Sequence, residues 1–289
     1  MNEPCKAWAL MTETAVYLQP AFILQQRKYR ETSLIIDVLT RDFGRISLLA
    51  KGVRKAKSKT AGMLQPFIPL LISYFGKAEL KTLTDVERRA CSRQAFGIHT
   101  IPGDCRAGSR PVRGIHSIPG DIIQPFNEIK GLALYCGFYV NELIACFLHK
   151  YDSHPEVFDH YGECLSGLAD GSNMEAALRL FELNLMENVG YGLQLEYDDN
   201  KKPVESLKKY DFNVGQGPVE VVGGQFSGKT LQALSSRELT DPQVLSEAKI
   251  LMRRVIDVYL QGRQLKSRAV ISKVFATAQQ VDERLKAKG

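Results

Sequence analysis

The hydrophobic period of this chain changes partway along, and that change limits the folds open to it. Between residues 21 and 84 the apolar residues come in short runs, several of them β-branched and separated by turn residues. The runs are 21–26, 33–40 (SLIIDVLT), 45–51 (RISLLAK), 67–75 and 79–84. After residue 122 the period becomes helical. Ile129, Leu132, Cys136, Tyr139, Leu143 and Cys146 follow alternating steps of three and four, one apolar face of a helix about 28 residues long. Strands first and helices afterwards describe an α+β chain rather than an alternating α/β sheet.

Turn chemistry orders the strand region. Arg41-Asp42-Phe43-Gly44 places Gly where positive φ is easy, so 33–51 reads as a hairpin. A second hairpin turns at Gly76-Lys77. Five short strands with one long polar loop suit a small OB-type β-barrel over 21–93. Residues 1–20 are expected to be a flexible leader, with Met11 an alternative start to Met1. Residues 94–121 carry GIHTIPGD at 97–104 and GIHSIPGD at 114–121. Two copies this short make no solenoid, and the segment reads as a linker insert. Residues 122–289 are expected to be mostly helical, with further helices at 155–168, 174–189, 242–260 and 266–278. An irregular β-containing excursion is expected at 193–226, with weak strand signals at 194–197 and 219–222.

Charge is unevenly spread. Residues 21–93 hold fifteen Lys/Arg against six Asp/Glu, although the whole chain is only +6. From Phe43 to Ala78 there are seven Lys/Arg and no carboxylate, and five of the seven fall in 51–59. A cationic loop between strands suits a polyanion, most commonly nucleic acid. The phosphate contacts expected are Arg27, Lys28, Arg30, Arg45, Lys51, Arg54, Lys55, Lys57 and Lys59. Tyr29, inside the basic run 27–30, is the candidate for stacking on a base. Phe67 and Phe75 read as barrel core.

Residues 223–230, GGQFSGKT, match the phosphate-loop pattern GxxxxGK[ST]. That pattern needs a parallel α/β sheet around it. No alternation of strands and helices follows, so a chance match is the better reading and a phosphate-loop NTPase the weaker alternative. His149, His154 and His160 lie among carboxylates without a known metal-ligand spacing. His99, His116, Cys91 and Cys105 straddle the repeat, in a segment with little apolar content to make them converge. The six cysteines include no CxxC, which fits a reduced cytoplasmic compartment. No apolar run approaches the ~20 residues of a membrane span. No catalytic set stands out, so the residues argue for a binding protein without metal or cofactor, rather than an enzyme.

Several stretches together resemble the RecO family of recombination mediators. In the first half these are 29–33 (YRETS), 40–45 (TRDFGR), 50–54 (AKGVR), 64–67 (LQPF) and 79–83 (ELKTL). In the second they are 139–143 (YVNEL), 179–183 (RLFEL), 190–192 (GYG) and 265–268 (LKSR). The resemblance covers about 21–93 and 122–275. It implies an OB fold followed by a helical domain, and binding of single- and double-stranded DNA. It also implies annealing of complementary strands and, together with RecR, loading of RecA onto strands coated with single-strand-binding protein. It further implies nucleoid association and a place where the acidic, Phe-ended tail of single-strand-binding protein docks on the helical domain. Arg179, with Phe181 near it, is the expected tail contact, since a guanidinium pairs bidentately with a carboxylate. Many relatives carry a four-cysteine zinc site in the part corresponding to 193–226. No cysteine follows Cys164 here, so the chain resembles the zinc-free branch. Another OB-fold protein binding RNA or DNA is the main alternative.

Overall fold

The first strand is long enough to serve two neighbours. In the computed structural model, which describes residues 15–55, 58, 60–88 and 129–274, β1 runs Ala15–Tyr29. Its first half pairs antiparallel with β4 (Leu70–Phe75) and its second half with β2 (Ser33–Thr40). Register shifts between Val16 and Gln19 and between Ile23 and Gln25 bend it, as bulges do. β2 continues into β3 (Gly44–Ala50), and β3 pairs in parallel with β5 (Leu80–Arg88). The order β1-β2-β3-β5-β4 closes on itself, the OB arrangement expected, and closure removes the edges an open sheet would expose. Residues 15–20, expected to belong to a leader, are part of β1; residues 1–14 lie outside the described residues. The repeat-bearing insert 94–121 lies outside the described residues.

Alternation along β1 feeds two cores. Ala21 and Ile23 point into the barrel with Ile36, Val38, Ile46, Leu48, Leu70 and Ile72. Their neighbours Phe22 and Leu24 point the other way and join the core of the helical part, as side chains one apart on a strand must. That second core is built by α1 (Leu132–Phe147), α2 (Pro155–Asp170), α3 (Met174–Asn188), α4 (Gly228–Ser236) and α5 (Pro242–Tyr259). Residues 266–274 are helical as well. α1 is shorter than its apolar periodicity suggested. Gly131 before it has φ +56°, and Leu148 after it is extended. α2 starts with Pro at its first turn and ends on Gly171 in the left-handed region, the usual asymmetry of helix ends.

The irregular excursion holds a small antiparallel sheet, β7-β6-β8, made of Lys209–Asn213 (β6), Gly217–Glu220 (β7) and Phe226–Ser227 (β8). The strand expected at 194–197 is reduced to a single bridge between Tyr197 and Pro203.

The barrel and the helices are joined by packing and by polar contacts. Phe22 meets Phe158 and Tyr161 at ring-centroid distances of 5.1 and 4.9 Å. Phe67 meets Phe138 edge-on at 5.1 Å. Asn141 Nδ2 donates to the carbonyl of Leu24 at 2.8 Å, and Tyr161 Oη donates to Asn141 Oδ1 at 2.7 Å. Arg41 forms two bonds to the Asp159 carboxylate, at 3.1 and 3.3 Å. The β2–β3 turn lies so close to the chain before α2 that a Cβ on Gly44 would stand 1.9 Å from the Asp152 carbonyl oxygen. Gly44 also has φ +63°, so glycine is required there on two counts.

Candidate nucleic-acid interface

Strand register brings two basic segments to one end of the barrel. Arg27 pairs with Ile35, and Ile35 with Leu49; Tyr29 pairs with Ser33. Leu34 pairs with Ala50, so Lys51 follows directly alongside Ser33. Partners across a sheet share a face, and here that face is the outside of β1, β2 and β3. The loop after β3 is tied down to the β1–β2 turn. The Arg54 backbone N–H donates to the Thr32 carbonyl at 2.9 Å, and Arg54 Nη1 donates to the Arg30 carbonyl at 3.0 Å. Arg27 and Arg30 thus gather with the basic residues of 51–55, whereas Lys28, paired with Leu34, lies on the other side of the sheet at the same end.

Arg27, Lys28, Arg30, Lys51, Arg54 and Lys55 are all exposed. None of them forms an ion pair with another described residue. Two carboxylates are near. Glu31 sits exposed in the turn, and Asp37, further along the outer face, accepts from Ser47 Oγ at 2.5 Å. Between the turn and the loop lies an open hollow of about 390 Å³. Tyr29 and Leu49 give it an apolar side, Thr32 and Ser33 supply hydroxyls, and Lys51 and Lys55 reach it from the loop. The Arg30 guanidinium lies 5.3 Å from the centroid of the Tyr29 ring. Uncompensated cations beside a partly buried ring and free hydroxyls can hold a phosphodiester chain and touch its bases.

Comparison with known proteins agrees with this barrel-plus-helices plan. The family profile described as "Recombination protein O N terminal" matches residues 11–90, and "Recombination protein O C terminal" matches 130–269. A DNA repair protein RecO of Methylococcus capsulatus is 39% identical over 256 residues, 88% of this chain and 92% of the relative. RecO proteins of Dechloromonas aromatica and Nitrosococcus oceani are each 35% identical, over 264 and 265 residues. They cover 89% and 90% of this chain, and 95% and 94% of their own lengths. The chain belongs to the RecO family of DNA repair proteins.

Not every cation expected to contact phosphate stands on this face. Arg45 is half-buried at the other end of β3. Its Nη1 donates to the carbonyls of Ala145 and Leu148 at 2.8 and 2.7 Å. These are the unpaired carbonyls at the C-terminal end of α1, where a cation is favoured. Burial lowers the pKa of Arg45. Its chemistry is spent on joining barrel to helix, which corrects its expected role as a phosphate contact. Lys57 and Lys59 lie outside the described residues. Ser33, Thr32, Ile35 and Leu49 were not anticipated as part of this face. The hairpin register of 33–51 was the signal for them, since it sets Ser33 beside Tyr29. Phe75, expected in the barrel core, is 45% exposed.

The expected tail contact is corrected as well. Arg179 is only 6% exposed and Phe181 2%. Arg179 Nη2 pairs with Glu182 Oε1 at 2.5 Å, and Tyr139 Oη donates to the same oxygen at 2.6 Å. Phe181 meets Tyr161 edge-on at 6.3 Å. A guanidinium already paired inside the core is closed to an incoming carboxylate, and exposing it would leave Glu182 as an uncompensated buried charge.

The GxxxxGKT segment is a helix cap rather than a phosphate cradle. Thr230 is fully buried. Its hydroxyl donates to Glu247 Oε2 at 2.7 Å, and the Ser227 hydroxyl and backbone N–H donate to the same oxygen, each at 2.7 Å. Lys229 is paired with Asp241. A carboxylate therefore already sits where an anion would approach the start of α4, beside an antiparallel sheet. No group of His, Cys, Asp and Glu among the described residues is arranged to hold a metal. Cys91, Cys105, His99 and His116 lie outside those residues. No helix among the described residues is long and apolar enough to cross a membrane.

Proposed function

We propose that this RecO-family chain binds single- and double-stranded DNA at the basic end of its barrel and anneals complementary strands. We further propose that, together with RecR, it helps load RecA onto strands coated with single-strand-binding protein. It acts on the nucleoid, as a mediator without enzymatic turnover. The observation that carries the reading is the gathering of Arg27, Arg30, Lys51, Arg54 and Lys55 at one end of the barrel, with no ion pair to another described residue. Phosphates meeting such a surface release their counterions, which supplies affinity without regard to base order. Two strands whose charge is neutralised in this way approach each other, and bases left unburied are free to pair.

Contact with the tail of single-strand-binding protein is proposed for the helical domain as a whole, with Arg179 and Phe181 excluded from it. The direct test is strand annealing on DNA coated with single-strand-binding protein, in the absence of ATP; no acceleration would refute the reading. Charge reversal at Lys51 and Lys55 should weaken binding to every sequence alike. It should also flatten the salt dependence, by about 0.7 per lost contact on single strands in a plot of log K against log salt. Titrations at several salt concentrations measure this, and an unchanged slope would remove the hollow from the DNA surface.

A further inference from the structure

We propose that the hollow beside Tyr29 seats one nucleotide of a single strand, a subsite that intact duplex does not occupy. The inference rests on the reading of the barrel end as a DNA surface and adds a base contact to it.

The argument begins with the volume. About 390 Å³ lies near the lower end of small-molecule sites, room for a nucleotide. The lining is divided chemically as a nucleotide is. Tyr29 and Leu49 offer flat and apolar surface to a base, Thr32 and Ser33 offer hydroxyls to its polar edge or sugar, and Lys51 and Lys55 lie within reach of the phosphate. Arg30, in left-handed backbone with φ +51°, lays its guanidinium 5.3 Å from the Tyr29 ring centroid. A cation over one side of an aromatic ring is a favourable contact. Arg30 itself lines the hollow, so its guanidinium and the ring together border the space a base would enter.

The neighbours on the outer face are Ile35, Leu49 and Ser33, so among the described residues no second aromatic continues the stack. One base is therefore held while the flanking bases stay free, which suits a protein that must let strands pair. In duplex DNA each base is already stacked and paired, and withdrawing one costs a few kcal/mol. The subsite consequently favours single strands, whereas the surrounding cations hold both forms.

The test compares a thymine oligonucleotide with an abasic strand of equal length and charge, and with a duplex. Wild-type protein should bind the thymine strand about fivefold tighter than the abasic one, the lower edge of what one base–aromatic stack contributes. Tyr29→Leu keeps apolar volume but removes the ring. It should abolish that fivefold difference, lowering affinity for the thymine strand more than for the abasic strand or the duplex. A strand carrying 2-aminopurine should lose fluorescence on binding wild-type protein, a readout independent of how well the variant folds.

Equal binding of thymine and abasic strands by wild-type protein would overturn the proposal. So would a Tyr29→Leu loss shared equally by all three DNAs, or unquenched 2-aminopurine. Charge reversal at Lys51 and Lys55 separates the two levels. If it weakens all three DNAs while the base effect is missing, only the subsite falls. If it weakens none of them, the DNA surface itself is in the wrong place.

Discussion

Arg45 and Lys51 stand at opposite ends of the same β3 segment, and their surroundings give them different roles. Lys51 is exposed beside the hollow, whereas the Arg45 guanidinium is enclosed by the last turn of α1. Arg45→Ala would leave the Ala145 and Leu148 carbonyls without this partner. The expected cost is about 2–3 kcal/mol, as for hydrogen bonds to a charged group. Arg45→Lys should recover only part of it, because an ammonium is a point charge without the guanidinium fork. Urea melts would show the loss, and DNA titrations at matched folded fraction should show an unchanged salt slope. A flattened slope would return Arg45 to the phosphate contacts. Arg179 teaches the same lesson more sharply: along the sequence it is a cation with apolar Phe181 near it, yet it is enclosed with Glu182 and Tyr139.

Among the elements, the start of α4 is held by a single carboxylate from α5. Burial alone would raise the pKa of Glu247. The bonds it accepts from the Ser227 N–H and hydroxyl, the Thr230 hydroxyl and Lys209 outweigh burial and bring it down to about 2. A folded-state pKa below the unfolded one means that ionised Glu247 stabilises the fold above the ordinary carboxylate range. That contribution is lost as pH falls from about 4.5 through about 2. Glu247→Gln should therefore cost about 2 kcal/mol at pH 7, and the difference from wild type should shrink toward pH 2.5. Denaturant melts at pH 7, 4 and 2.5 check this; a gap independent of pH would mean that the carboxylate's charge is irrelevant. The same bond pattern explains why a perfect GxxxxGKT match forms a helix cap here. Its Thr hydroxyl and its Lys are both engaged by the chain's own carboxylates.

At the level of the molecule, barrel and helices share a core. Phe22, Leu24, Leu39 and Phe67 from the barrel are buried among helical residues. Each such side chain, fully buried, is worth about 1.5–3 kcal/mol, so the barrel alone would expose several that it cannot afford to wet. The described parts should unfold as one cooperative unit. Far-ultraviolet and near-ultraviolet circular dichroism should give coincident melts, and Asn141→Ala, at the joint, should shift both together. Two separated transitions would show that the barrel and the helices fold independently.

Much of this architecture was legible along the chain. Period two, turn glycines and β-branched runs foretold the five strands, and period 3.6 foretold the helices, because both signals are local consequences of backbone geometry. The lopsided charge marked the barrel region as the basic part of the chain, since net charge needs no fold to be counted. What the chain alone left open was which cations face outward together. Arg27, Tyr29 and Lys51 meet through strand register, while Arg45 and Arg179 are drawn inward by helix carbonyls and a buried glutamate that are distant in sequence or hidden by helical phase. Register and burial arise from contacts between elements, and only the assembled molecule decides them.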